Sequence, residues 1–448
     1  MLPGILPFRG HGPSPARAWL VLCAMSMLQF FIAVDVTVVN IALPSIGADF
    51  DVDGHALTWV VVGTGLFGAA SLLAGLAPTF ELLVLARLLQ GAGEAIALPA
   101  AMATIVLTFP DGPRRSRALS VWAAVASCGL VLGFVLSGII TAHLGWRWIF
   151  LVSVPFILIV LLAAAFLVDG DRPAAEGAAP LDVPGALLLT ACPLLFTFAV
   201  VEAAEPGTPL WVVLGALAGA VAAGVGFVRV EARSRNPLLP LGFFVHRTRV
   251  AANLVTMLLS GALSTSFLLF TFYLQDRLGV SPLGAGLTML PLAVSLIVCS
   301  VLVPRLLDRW GAHVCVLAGI GCTAAAMAVI ALVSALQTGA VTMIPAMLLI
   351  AAGMGFGLVG LQYLAVTGVT DDDAGVASGV QRAADQLGGA IGVAVCVGIG
   401  FAPSLHSLDP FLVATLLAAV GLVTGAVVAW RRPRSPSGDV ESVRDFVQ

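Results

Sequence analysis

Lysine is absent from this chain of 448 residues, and all 21 basic positions are arginine. Charge of either sign is scarce, with Asp, Glu, Lys and Arg together making 10% of the residues. A soluble core of this size would need a charged shell that such a composition cannot supply. No glycine-rich phosphate loop closing on Lys-Ser/Thr occurs, which excludes an ATP-driven pump encoded in this chain. The seven cysteines (Cys23, Cys128, Cys192, Cys299, Cys315, Cys322 and Cys396) are scattered and form no C-x-x-C pair. Neither a metal site nor a disulfide framework is therefore suggested. All six histidines sit at or near loops, so no buried histidine relay is visible, and no nucleophile–base set marks an enzyme. No cofactor, metal, ATP or nucleic-acid partner is expected.

What the chain has is apolar length. Hydrophobic residues make 60% of it, and the mean hydropathy is +1.07. Thirteen apolar stretches run over 19–42, 58–77, 81–108, 119–140, 148–168, 184–203, 210–229, 250–273, 283–303, 313–334, 342–366, 377–400 and 410–430. A hydrocarbon core about 30 Å thick takes ~20 apolar residues of helix to cross. Runs of this length without period-2 alternation exclude a barrel, leaving an all-α polytopic membrane protein. Arginines concentrate before the first stretch (Arg9, Arg17), at Arg114, Arg115 and Arg117, between Arg229 and Arg249, at Arg305 and Arg309, and in the tail. The positive-inside bias places these connections in the cytoplasm.

Polar residues inside such stretches carry the chemistry. Asp35 lies in the first, where a carboxylate costs ~2.5–3.5 kcal/mol on insertion scales and so faces a cavity or a partner. At 100° per residue, Thr37 and Asn40 point roughly 140–160° away from it. The third stretch carries Arg87, Gln90, Gly91, Gly93 and Glu94, with Arg87, Gln90, Gly91 and Glu94 on one face. Arg87 and Glu94 stand ~10 Å apart along the axis, too far for a tight pair, so Gln90 or water is expected to bridge them. Gly129, Gly133 and Gly138 form a small-residue stripe, as do Gly353, Gly355, Gly357 and Gly360, and Gly388, Gly389 and Gly392. Helix packing is the default meaning of such stripes.

These residues resemble the 14-helix drug:proton antiporter branch of the major facilitator superfamily over nearly the whole chain. The carriers are DVTVVNIALPSI (Asp35 to Ile46), RLLQGAG (Arg87 to Gly93), WRWIF, EARSRNPLLPL (Glu231 to Leu241), FYLQDRLGVSPLGAG, PRLLDRWG and GVASGVQRAADQLGGAIG. The resemblance implies a major facilitator fold of about 12–13 transmembrane helices in two bundles plus a central helix pair. The implied organisation is a cytoplasmic N-terminus (1–18), an incomplete N-terminal bundle (19–168), the pair (184–229), a basic cytoplasmic connector (230–249), a C-terminal bundle (250–430) and a cytoplasmic tail (431–448). It further implies a monomer in the bacterial inner membrane that exports hydrophobic or amphipathic small molecules against protons. Asp35, Arg87 and Glu94 would serve proton coupling and transport. Asp308, Arg309 and Gly311 would be the C-terminal copy of a cytoplasmic gating motif, in which an acid and an arginine clamp neighbouring helices.

Two departures leave rivals open. The antiporter motif on the fifth helix has Phe134 in place of proline and Ser137 in place of a glycine, which favours a uniporter or symporter of the same fold. About one helix and its gating loop are missing after Trp59, which favours a degenerate, non-transporting protein. The flanking charges also require Thr58–Ala77 to start and finish on one face, so a re-entrant path or a broken bundle is expected there.

Overall fold

The computed structural model describes residues 15–50, 68–109, 113–167, 182–205, 207–234, 237–239, 244, 246–366, 374–402 and 408–430. Among them the regular structure is entirely helical. Two compact units divide the chain: Met1–Val39 with Gly63–Glu176, and Asn40–Val62 with Gly177–Gln448.

The first unit begins with α1 (Pro15–Phe50) as far as Val39; its 36 residues in all outrun the expected span of 19–42. Hydropathy marks where a bilayer is crossed, whereas the backbone ladder continues as long as its amides find carbonyls. A short α2 (Ala69–Gly75) follows. The expectation for Thr58–Ala77 falls largely outside the described residues. Within them α2 covers only ~10 Å at ~1.5 Å per residue.

Next comes α3 (Phe80–Thr108), opened by Thr79, whose hydroxyl accepts from the Leu82 amide at 3.3 Å. This cap satisfies one of the free amides at the helix start. Then come α4 (Pro113–His143), α5 (Arg147–Leu151) and α6 (Ser153–Leu167). Leu22 and Met25 of α1, Ile105 of α3, Ala118 of α4 and Val160 of α6 close one apolar core. Gly129 lets α4 lie directly on α1, since a Cβ there would stand 2.7 Å from the Phe30 carbonyl oxygen.

The second unit opens with the hairpin of α7 (Val183–Ala204) and α8 (Leu210–Glu231). Asp182 caps α7 by accepting from the Gly185 amide at 2.9 Å. Outward-facing Leu187, Leu210, Trp211 and Val221 are each at least 66% exposed, the signature of helices solvated by hydrocarbon. There follow α9 (Arg247–Phe272), extended by a π turn over Tyr273–Arg277, α10 (Pro282–Thr288), α11 (Leu290–Trp310) and α12 (Ala312–Leu336). A 3-10 turn (Ala340–Met343), α13 (Ile344–Ala352), a π segment (Gly353–Leu358) and α14 (Val359–Val366) form one further crossing. Last are α15 (Ala374–Val393), with its π extension Ala394–Gly398, and α16 (Pro410–Trp430).

Eight segments among the described residues have the length and hydropathy of membrane spans, from Arg17–Asp35 to Pro410–Trp430. The glycine runs read from the sequence sit in helix contacts. Gly392 of α15 meets the Gly261 backbone of α9, Gly388 meets that of Met257, and Gly357 meets that of Gly319 on α12.

Gly311 has a different task. It ends α11 at φ 78°, ψ 157°, a region open essentially to glycine alone, and a Cβ there would meet nothing within 4 Å. Gly311→Ala is therefore expected to cost ~1–3 kcal/mol through backbone strain alone. Thermal unfolding of the purified variant checks this, and an unchanged midpoint would show that the turn relaxes freely.

Candidate functional site: a buried ion pair in the first unit

Helix α1 delivers Asp35 to the interior of the first unit, and α3 delivers Arg87, Gln90 and Glu94 along one face. Arg87 is fully buried, and Asp35, Gln90 and Glu94 are each at most 8% exposed. The Arg87 Nη1 donates to Asp35 Oδ2 at 2.7 Å and to Gln90 Oε1 at 2.6 Å. The Gln90 Nε2 donates to Asp35 Oδ1 at 3.2 Å and to the hydroxyl of Ser71, on α2, at 2.8 Å. The guanidinium also lies 5.6 Å from the ring centroid of Phe150, on α5. Four helices thus converge on one guanidinium–carboxylate pair.

Of the two surroundings expected for Asp35, a cavity or a partner, the geometry supplies a partner, since Arg87 compensates its charge directly. One expectation is corrected. Gln90 bridges Arg87 to Asp35, not to Glu94, because both N–H groups of its amide go to Asp35 and Ser71. A buried pair of this kind is held together by the cost of stranding either member, since desolvation of a lone charge exceeds what solvent can return.

The remaining expected residues are placed as follows. The side chains of Thr37 and Asn40 lie outside the described residues. Gly91 and Gly93 are half-buried on α3, whereas Gly129, Gly133 and Gly138 are buried on α4. Asp308 and Arg309 are exposed at the end of α11, and among the described residues neither makes an ion pair, so the clamp implied for them is not formed here.

Several polar residues went unread. Ser71 is a small hydroxyl in an alanine-rich run, and Phe150 is one aromatic among many. In the second unit, Arg277 pairs with Asp409 at 2.8 Å and also bonds the Ser334 hydroxyl, tying α9, α12 and α16 together. Burial alone pushes the Asp409 carboxyl up. Hydrogen bonds from Arg277 and the Phe411 amide outweigh that effect and leave it below its ordinary value. Asp385 of α15, bonded to Ser260 of α9, was legible as an acid in a long helix but was masked by that helix's overall polarity.

The family model of the Major Facilitator Superfamily matches residues 58–393. The chain is 47% identical to the lincomycin resistance protein of Streptomyces lincolnensis, over 91% of this chain and 90% of that protein. It is 34% identical to the cephamycin export protein CmcT of Amycolatopsis lactamdurans, over 94% of this chain and 95% of that one. Its fold resembles the crystal structure of an auto-inhibited POT family peptide transporter with a TM-score of 0.65, at 14% identity, over 95% of this chain and 98% of that one. This chain is a multi-pass protein of the bacterial plasma membrane and belongs to the major facilitator superfamily of transporters.

Proposed function

We propose that the protein is a monomeric, proton-coupled exporter of hydrophobic or amphipathic small molecules, antibiotics among them. One observation carries the coupling: the buried Asp35–Arg87 pair, braced by Gln90 and Ser71. A proton taken up by Asp35 cancels the pair's attraction and loosens the guanidinium from α1. The contact between α1 and α3 therefore depends on whether Asp35 carries its proton, which is how a proton can bias a conformational equilibrium. Resistance to lincomycin and export of cephamycin, named for the two relatives, support antibiotic-like cargo.

Proteoliposomes loaded with ethidium and a pH-reporting dye test the reading. An imposed pH gradient is expected to drive ethidium one way and protons the other. The uniport reading draws on α4, which runs as one helix through the buried Phe134 where the antiporter motif would place a proline. Cargo flux without proton movement would establish that reading instead, and no flux at all would leave neither transport reading standing.

A further inference from the structure

We propose that the groove between α1 and α4 is a cargo subsite for an uncharged ring system bearing one hydroxyl or carbonyl oxygen, which the Ser26 hydroxyl recognises. This rests on the reading that the chain exports apolar small molecules, and it names the polar group that such cargo carries. The groove lies wholly within the first unit and holds about 410 Å³. Small-molecule sites run to roughly 300–1,000 Å³, so this one takes a molecule of a few fused rings. Trp19, Cys23, Met27 and Phe30 of α1 line it, with Val121 and Val125 of α4. The two helices touch where Gly129 meets the Phe30 backbone, and the groove lies on the N-terminal side of that contact on both. None of its lining residues carries a charge. A charged group entering it would shed water with nothing to compensate it, whereas an uncharged ring packs against Trp19 and Phe30.

Ser26 is the exception in this apolar wall. It is 6% exposed, and its hydroxyl has no hydrogen-bond partner. Helical serine and threonine can satisfy themselves by donating to the carbonyl four residues back. Thr256, Ser266 and Thr323 do so here. Ser26 forgoes that bond and lines the groove instead. A buried hydroxyl without a partner is destabilising, and alanine would occupy the same place on α1 without that penalty. A ligand oxygen in the groove supplies the missing partner. Because a hydroxyl both donates and accepts, Ser26 serves an alcohol or a carbonyl equally.

Pyrene-1-methanol and 1-methylpyrene differ by that single oxygen, and both accept excitation energy from tryptophan, of which Trp19 lines the groove. The purified full-length protein in nanodiscs is titrated with each, against empty nanodiscs as background. Ser26→Ala is expected to weaken the alcohol by about two- to tenfold, the worth of one neutral hydrogen bond, and to leave the hydrocarbon unchanged. The thermal midpoint of the ligand-free variant should hold or rise, because an unpaired hydroxyl has gone. Val125→Phe, which fills the groove, is expected to weaken both ligands together. Equal weakening of both in Ser26→Ala, or a lower midpoint, would assign the hydroxyl to packing and overturn the proposal. Unchanged alcohol binding in Ser26→Ala, unchanged binding of both ligands in Val125→Phe, or no binding of the alcohol by the wild-type protein overturns it equally. The titration needs neither flux nor a proton gradient. A protein that binds through Ser26 yet moves no cargo in proteoliposomes therefore fails the export reading alone.

Discussion

Asp35→Asn is expected to abolish efflux driven by a pH gradient, because the variant can neither gain nor release a proton at the pair. The same substitution strands Arg87, which is fully buried, and breaking a buried pair on one side costs ~3–5 kcal/mol. Loss of transport and loss of stability must therefore be separated. In the double variant Asp35→Asn with Arg87→Gln, the stranded charge is gone, so thermal stability should recover most of the loss while gradient-driven efflux stays absent. Arg87→Lys should rescue poorly, since a compact, strongly hydrated ammonium is costlier to bury than a guanidinium and lacks the planar face that lies against the Phe150 ring. Gradient-driven efflux at wild-type rates in Asp35→Asn would remove this carboxylate from the mechanism.

The second large effect is steric. A Cβ built on Gly392 stands 2.1 Å from the Gly261 Cα and 2.6 Å from its carbonyl carbon. Those neighbours are backbone, so no rotamer change relieves the clash, and α9 and α15 must separate along their length. Gly392→Val is expected to destabilise the second unit by ~3 kcal/mol or more, at the upper end of what overpacking does. Gly379, on the same helix, has nothing within 4 Å of its position. Gly379→Ala should be neutral or stabilising by ~0.5–1 kcal/mol, since it removes only backbone freedom. Thermal melts of the two purified variants make the comparison, and equal behaviour would mean that α9 and α15 are not tightly packed in the membrane.

Hydropathy located most of the second unit's helices to within a few residues because a bilayer fixes the apolar length required of each, but it ended seven residues short of Trp310 on α11. It stopped short on α1, whose helical ladder continues beyond the apolar stretch to Phe50. Asp35 and Arg87 were legible because ionised groups stand out in apolar runs. Their pairing was not: they are 52 positions apart, and angles about one helix axis do not reveal which neighbouring helix a face meets. Gln90 was expected to act within its own helix for the same reason. Ser71 was invisible because a buried hydroxyl becomes informative only when the amide it satisfies is known. Asp385 was passed over because α15 carries other polar residues, which dilute the contrast that made Asp35 conspicuous.

The hydroxyls of α9 have a mechanical consequence. Thr256, Thr265, Ser266 and Thr271 each donate to the carbonyl four residues back, so they are satisfied within their own helix. Ser260 instead reaches across to Asp385. Against α15 and its π extension, α9 therefore presents a glycine seam with polar contacts at Ser260–Asp385 and Thr265–Cys396. Shear along that seam works against these two contacts, while the hydroxyls of Thr256, Ser266 and Thr271 travel with their own helix.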